Sequence, residues 1–146
     1  MGTRVHRLLW PELLACLVLF LSLSGHVPAA QPGVSIVPAL QDQFGLSESQ
    51  VKGALGALLV FVRERLSKPA FDDLAETIPN AEYIMQQVKQ NGIVTGPLDN
   101  IGDYEQALVT IGIGQPLASE FAPAVVKQLG AAGHIRQRDI LAGVLN

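Results

Sequence analysis

Between Lys52 and Arg63 the chain reads GALGALLVFV, ten residues without one polar side chain. Val51, Leu55, Leu58, Leu59, Val62 and Leu66 recur at helical spacing, so the stretch is read as a helix ending near Leu66. A helix that is apolar all round lies at the centre of a bundle or is shared with another subunit. Ten apolar residues flanked by cations do not cross a bilayer, which takes about 20. Gly53 and Gly56 stand inside this helix, where each glycine costs about 1 kcal/mol relative to alanine. Gly53 and Ala57, four residues apart, form a small-xxx-small pair that lets another backbone come close. Gly53, Gly56 and Ala57 are therefore the expected helix-packing residues, with Gly53 facing a crossing helix at short range.

The first thirty residues have a different character. Arg4, His6 and Arg7 form a basic start, Leu13–Leu23 is an apolar run, and Val27 and Ala29 are the small residues of a cleavage site. This is the layout of a secretory signal peptide over residues 1–29, with an uncleaved N-terminal anchor as the alternative. Leu13-Leu14-Ala15-Cys16 resembles a lipobox, but most of the apolar run follows Cys16, which argues against lipidation. Residues 30–34 read as a linker and 35–146 as a single helical domain. The expected location is the periplasm or the exterior.

Cleavage after Ala29 leaves a chain with no cysteine, no tryptophan and one histidine, His134. Arg4, Arg7 and Glu12 precede the cut, so eight basic and twelve acidic residues remain, 8 − 12 = −4. There is no basic stripe, so nucleic acid is not an expected partner. Its 117 residues suffice for a core without disulfide staples.

Further helices follow from their punctuation. Val37, Leu40 and Phe44 share one side of a first helix, which Gly45 closes. Ser47 and Gln50 form a capping box for the apolar helix. Ser67 caps a short helix with Pro69 in its first turn. Asn80 caps the next, with Ala81, Ile84, Met85 and Val88 inward, and Asn91-Gly92 ends it. Ile93–Gly102 is the least regular stretch and the expected mobile edge. Asp103 caps a helix over Ala107, Leu108 and Ile111. After Gly112-Ile113-Gly114, Pro116 opens another that Pro123 should kink or shorten. Gly130–Gly133 is a loop, and Gln137–Leu145 a last helix. No segment alternates with period two. The fold class is all-α, a bundle of six or seven short helices. A faint internal echo is also present: a shift of 67 places Gly45-Leu46-Ser47 on Gly112-Ile113-Gly114 and Leu55 and Leu58 on Ala122 and Val125.

Several of these segments, in order, resemble the VcgC/VcgE-like family of small bacterial proteins of unknown function. They are Gly45-Leu46-Ser47, Gly53-Ala54-Leu55, Leu66-Ser67 with Phe71, Ile78-Pro79, Phe121-Ala122-Pro123 and Leu141–Leu145, spanning about Phe44 to Leu145. The stretch His134–Asp139 is more charged than the family pattern. The resemblance implies a secreted or envelope helical protein and supplies no activity, substrate or catalytic residue.

The chemistry-bearing residues give no catalytic set. One histidine and no cysteine cannot build a zinc site. Asp99, Asn100, Asp103 and Glu105 lack the spacing of a calcium loop and read as a solvated loop with a helix cap. His134 lies in a polar stretch, GHIRQRD, with no serine elbow to serve. Asp72 and Asp73 point about 100° apart on a helix. Arg63, Arg65 and Lys68 suit a helix C-terminus, with an acidic headgroup or partner carboxylate as the other reading of that patch. No cofactor or metal is expected. The reading is a non-catalytic interaction module, with a second copy of the chain or an envelope protein as partner. The alternative is a small carrier holding an apolar ligand or lipid between helices, gated by the loop at Gly96-Pro97.

Overall fold

The computed structural model describes residues 36–146. The predicted signal peptide, the linker, Cys16 and the cleavage site lie outside the described residues. Seven helices follow one another: α1 (Ile36–Phe44), α2 (Glu48–Arg63), α3 (Lys68–Ala75), α4 (Ala81–Gln90), α5 (Ile101–Thr110), α6 (Gln115–Ala131) and α7 (Ile135–Leu145). The described residues contain no strand, and the fold is all-α.

The helix ends show how local chemistry sets the boundaries. Gly45 closes α1 at φ +64°, a conformation that costs glycine little. Ser47 then starts α2: its Oγ accepts from Gln50 N (3.2 Å), and Gln50 Oε1 accepts from Ser47 N (3.1 Å). The Gln50 amide also donates to the Ile111 carbonyl at 3.1 Å, fastening the start of α2 to the end of α5. α2 stops at Arg63, three residues before the expected end at Leu66, whose N–H still bonds Val62 O at 3.0 Å.

Three of the expected caps need correction. Ser67 has the extended backbone of an N-cap, but its side chain makes no capping bond. Pro69 at the second helical position has no N–H, which removes one of the two donors a cap serves. Asn80 precedes α4 in the left-handed conformation (φ 59°, ψ 32°) and does not cap with its side chain. A side-chain cap normally needs extended backbone, and asparagine here serves instead as a residue that tolerates left-handed geometry. Asp103 is the third residue of α5, not its cap. Asn100 is the cap: its Oδ1 accepts from Asp103 N (3.1 Å), and Asp103 Oδ2 accepts from Asn100 N (3.1 Å) and Asp99 N (2.9 Å).

The C-terminal half is more helical than its glycines and prolines suggest. α6 is not shortened by Pro123. It runs through it, with the proline on the exposed side, where water can take the carbonyl that the missing N–H leaves free. The expected loop at Gly130–Gly133 contracts because α6 continues to Ala131, and α7 begins at Ile135 rather than Gln137.

Packing places α2 at the centre. α1 packs on α2 and α6, α5 packs on α6 and α2, α3 packs on α2 and α7, and α4 packs on α2. Every residue from Gly53 to Val62 is buried. Leu55, Leu58 and Leu59 of α2 and Leu108, Tyr104 and Phe121 from other helices are among the large, fully enclosed side chains, each aliphatic one contributing about 1.5–3 kcal/mol by its burial. The central position of α2 is thus satisfied within one chain.

Candidate functional site

The seam between α2 and α4 is a close approach of two helices, and its seat is Gly56. A methyl group at Gly56 would sit 2.7 Å from Val88 Cγ1, 2.8 Å from Ile84 Cγ2 and 2.9 Å from the Ile84 carbonyl oxygen. Such distances do not occur in packed interiors, so α4 reaches this position only because Gly56 has no side chain. The expectation that Gly53 faces the crossing helix is corrected here. Gly53 meets the flexible end of Ile111 (3.0 Å) and that of Ile93 (3.6 Å), not backbone. Ala57 is fully buried.

Beside this seam a groove opens to the surface. Val37 and Gln41 of α1, Lys52 of α2, and Pro79, Tyr83 and Ile84 on the α4 side line a space of about 370 Å³. A second space of about 280 Å³, lined by Gln87, Val88 and Ile93, shares Lys52, Tyr83 and Ile84 with it. Tyr83 stands between the two and is 62% exposed. Lys52 is held by Glu48 one turn earlier. Ile84, which lines both spaces, and Val88, which lines the second, also make the contact with Gly56, so the tight crossing fixes part of the wall.

The charged residues singled out in the sequence are dispersed. Arg63 reaches Glu82 (3.4 Å), Lys68 reaches Asp72 (2.5 Å) and Asp73 reaches Arg136 Nε (3.2 Å). The last is an ion pair without hydrogen-bond geometry. The first two are surface contacts, worth about 0–1 kcal/mol each, whereas Asp73 Oδ2 is buried. Arg65 instead binds backbone: it donates to Phe61 O (2.7 Å) and Leu98 O (2.8 Å) and lies 3.6 Å over the Phe61 ring. It thereby pins the loop before α5, whose Val94 and Leu98 are buried. That loop, expected to be a mobile edge, is tied to the core. His134 occupies the N-cap position of α7 with no side-chain capping bond. Among the described residues no cluster of three or more metal-ligating side chains forms, and no helix is long and apolar enough to cross a membrane.

Among the described residues Tyr104 is the one deeply buried titratable group. Its ring packs against Phe61 at 6.0 Å between centroids, and its hydroxyl has no hydrogen-bond partner among the described residues. Burial, with the neighbouring Glu105 carboxylate adding to it, raises the phenol well above its ordinary value near 10.

With this arrangement of seven helices established, the family model described as "protein of unknown function VcgC/VcgE (DUF2780)" matches residues 23–144. The chain belongs to that family. The match takes in all of α1 through α6 and all of α7 but its last residue, and reaches further toward the N-terminus than the motifs from Phe44 onward. No curated protein matches the chain, and no solved structure does. The VcgC/VcgE assignment fixes kinship without attaching a reaction or ligand to the groove.

The groove was not legible in the sequence, because its lining comes from three helices. Tyr83 left one signal: with Ala81, Ile84, Met85 and Val88 inward, it falls outside the apolar stripe of α4.

Proposed function

We propose that this VcgC/VcgE protein is a secreted or envelope-associated, non-catalytic interaction module that takes a protein partner on the α1–α2–α4 groove. The observation that carries the reading is Tyr83. Its ring is 62% exposed, beside a half-apolar groove. The other aromatic side chains of the described residues are buried or half-buried. Tyrosine offers a large, stiff contact area with a polar tip and is enriched at interfaces for that reason. The basic and apolar pattern before Ala30 supports export.

The test pairs light scattering with capture from envelope extracts, using the natural chain and Tyr83→Glu. A partner or second copy held by the natural chain and lost by Tyr83→Glu, at equal melting temperature, is the expected result. A strict monomer at all concentrations, with identical capture profiles for both proteins, would sink the proposal. Native mass spectrometry runs alongside: a co-purifying fatty acid or phospholipid would replace this reading with that of an apolar-ligand carrier.

A further inference from the structure

The two ends of the domain share one order and spacing of helices. α2 and α6 begin 67 residues apart, at Glu48 and Gln115, and so do α3 and α7, at Lys68 and Ile135. α1 and α5 fit the same offset to within two residues. The turns agree as well: Gly45 after α1 and Gly112 after α5 are both left-handed, at φ +64° and +84°. Leu74 of α3 and Leu141 of α7 are equivalent, identical and buried.

The contacts between the two sets are reciprocal. α1 packs on α6, α5 packs on α2, and α3 packs on α7. In detail, Ile111 lies against α2 at Gly53, and its counterpart Phe44 stacks on α6 at Phe121, 5.7 Å between ring centroids. Exchanging the two sets returns the same pairs of elements, which is the signature of a two-fold, isologous interface. A head-to-tail repeat would not produce it.

Burial identifies what breaks the symmetry. Val51 and Ala118, Leu55 and Ala122, Leu58 and Val125, and Val62 and Leu129 are buried in both sets. Gly53, Gly56 and Val60 are buried, but their counterparts Glu120, Pro123 and Lys127 are exposed. These three positions, at i, i+3 and i+7, form one helix face, and at Gly56 that face meets α4. Among the described residues α4 has no counterpart.

From this we infer that the domain is a duplicated three-helix unit, closed on itself as an intramolecular two-fold pair, with α4 packed against the first half. The candidate groove, walled by α4, then lies where the two halves differ. The duplication stands whether or not the groove binds a protein.

The test uses reciprocal cross-links in the full chain carrying Cys16→Ser, which has no other cysteine. Two observed contacts each predict a counterpart. Gly53→Cys with Ile111→Cys predicts Phe44→Cys with Glu120→Cys; Gln50→Cys with Ile111→Cys predicts Phe44→Cys with Leu117→Cys. Each double variant is checked for cooperative melting, treated with a short thiol-bridging reagent and weighed intact. In every set that closes at all, closure of both members within one chain is the expected result. A folded variant at Phe44/Glu120 or Phe44/Leu117 that stays open while its counterpart closes overturns the two-fold, as does failure of all four.

Discussion

α2 and α6 are the two long helices of the domain, and they solve the same packing problem under different cover. Both follow a turn with a left-handed glycine, at Gly45 and Gly112, and both bury their side chains at equivalent positions. They differ along one strip. α2 places Gly53, Gly56 and Val60 there, all buried, whereas α6 places Glu120, Pro123 and Lys127 there, all exposed. The composition of a helix face follows what lies on it. A face that receives another helix at close range must be small and apolar, and a face left to water tolerates charge and even proline.

The largest effect should come from filling the covered strip. Gly56→Leu is expected to cost about 3 kcal/mol or more in urea denaturation, the upper end for overpacking, because the Ile84 carbonyl cannot move without α4. Gly53→Ala is its internal control. The helix gains up to about 1 kcal/mol in propensity, and only the flexible end of Ile111 has to yield, so the stability should hold or rise slightly. Equal losses at both positions would break the distinction between them.

The open strip should respond with the opposite sign. Pro123→Ala restores an interior N–H and relieves the ring's conflict with the preceding turn, whose cost is about 3 kcal/mol in a regular helix. Solvent exposure lets α6 bend and recover part of it, so a gain of about 1–2 kcal/mol is expected. A loss on Pro123→Ala would mean that the bend itself is needed for packing.

A smaller effect sits where α5 meets α2. Tyr104→Phe removes a buried hydroxyl without a protein partner and should stabilise the domain by about 1 kcal/mol at neutral pH. The equivalent position in α1 is Val37, which has no hydroxyl. The phenol is raised in the folded state, so the unfolded chain loses its proton first. The natural protein should therefore lose stability as pH climbs above about 10, and Tyr104→Phe should lack that part of the decline. Parallel pH profiles would remove the assignment.

Much of this architecture could be read from local sequence, and the failures share a cause. Ser47 and Gln50 announce their capping box because both partners lie within one turn. Asp103 alone reads as a cap, but Asn100, three residues earlier, is an equally good capping residue, and the Asn-x-x-Asp pair reads as a box only when both are considered together. The sequence points to Gly53 rather than Gly56 because a four-residue spacing of small residues marks a close approach but not its direction. That direction is set by α4, which arrives from 28 residues away in the chain, Ile84 against Gly56. The groove at Tyr83 depends on three helices, so no single window of sequence contains it.

The two tyrosines of the chain carry a practical consequence. Tyr83 stands exposed on α4, and Tyr104 is enclosed between α5 and α2. The chain's one tryptophan is Trp10, ahead of the predicted cleavage site. A protein processed there emits from these two phenols alone, with a water-borne quencher able to reach one and not the other. Ultraviolet emission then separates events on the outer helix from events in the core, with no label attached.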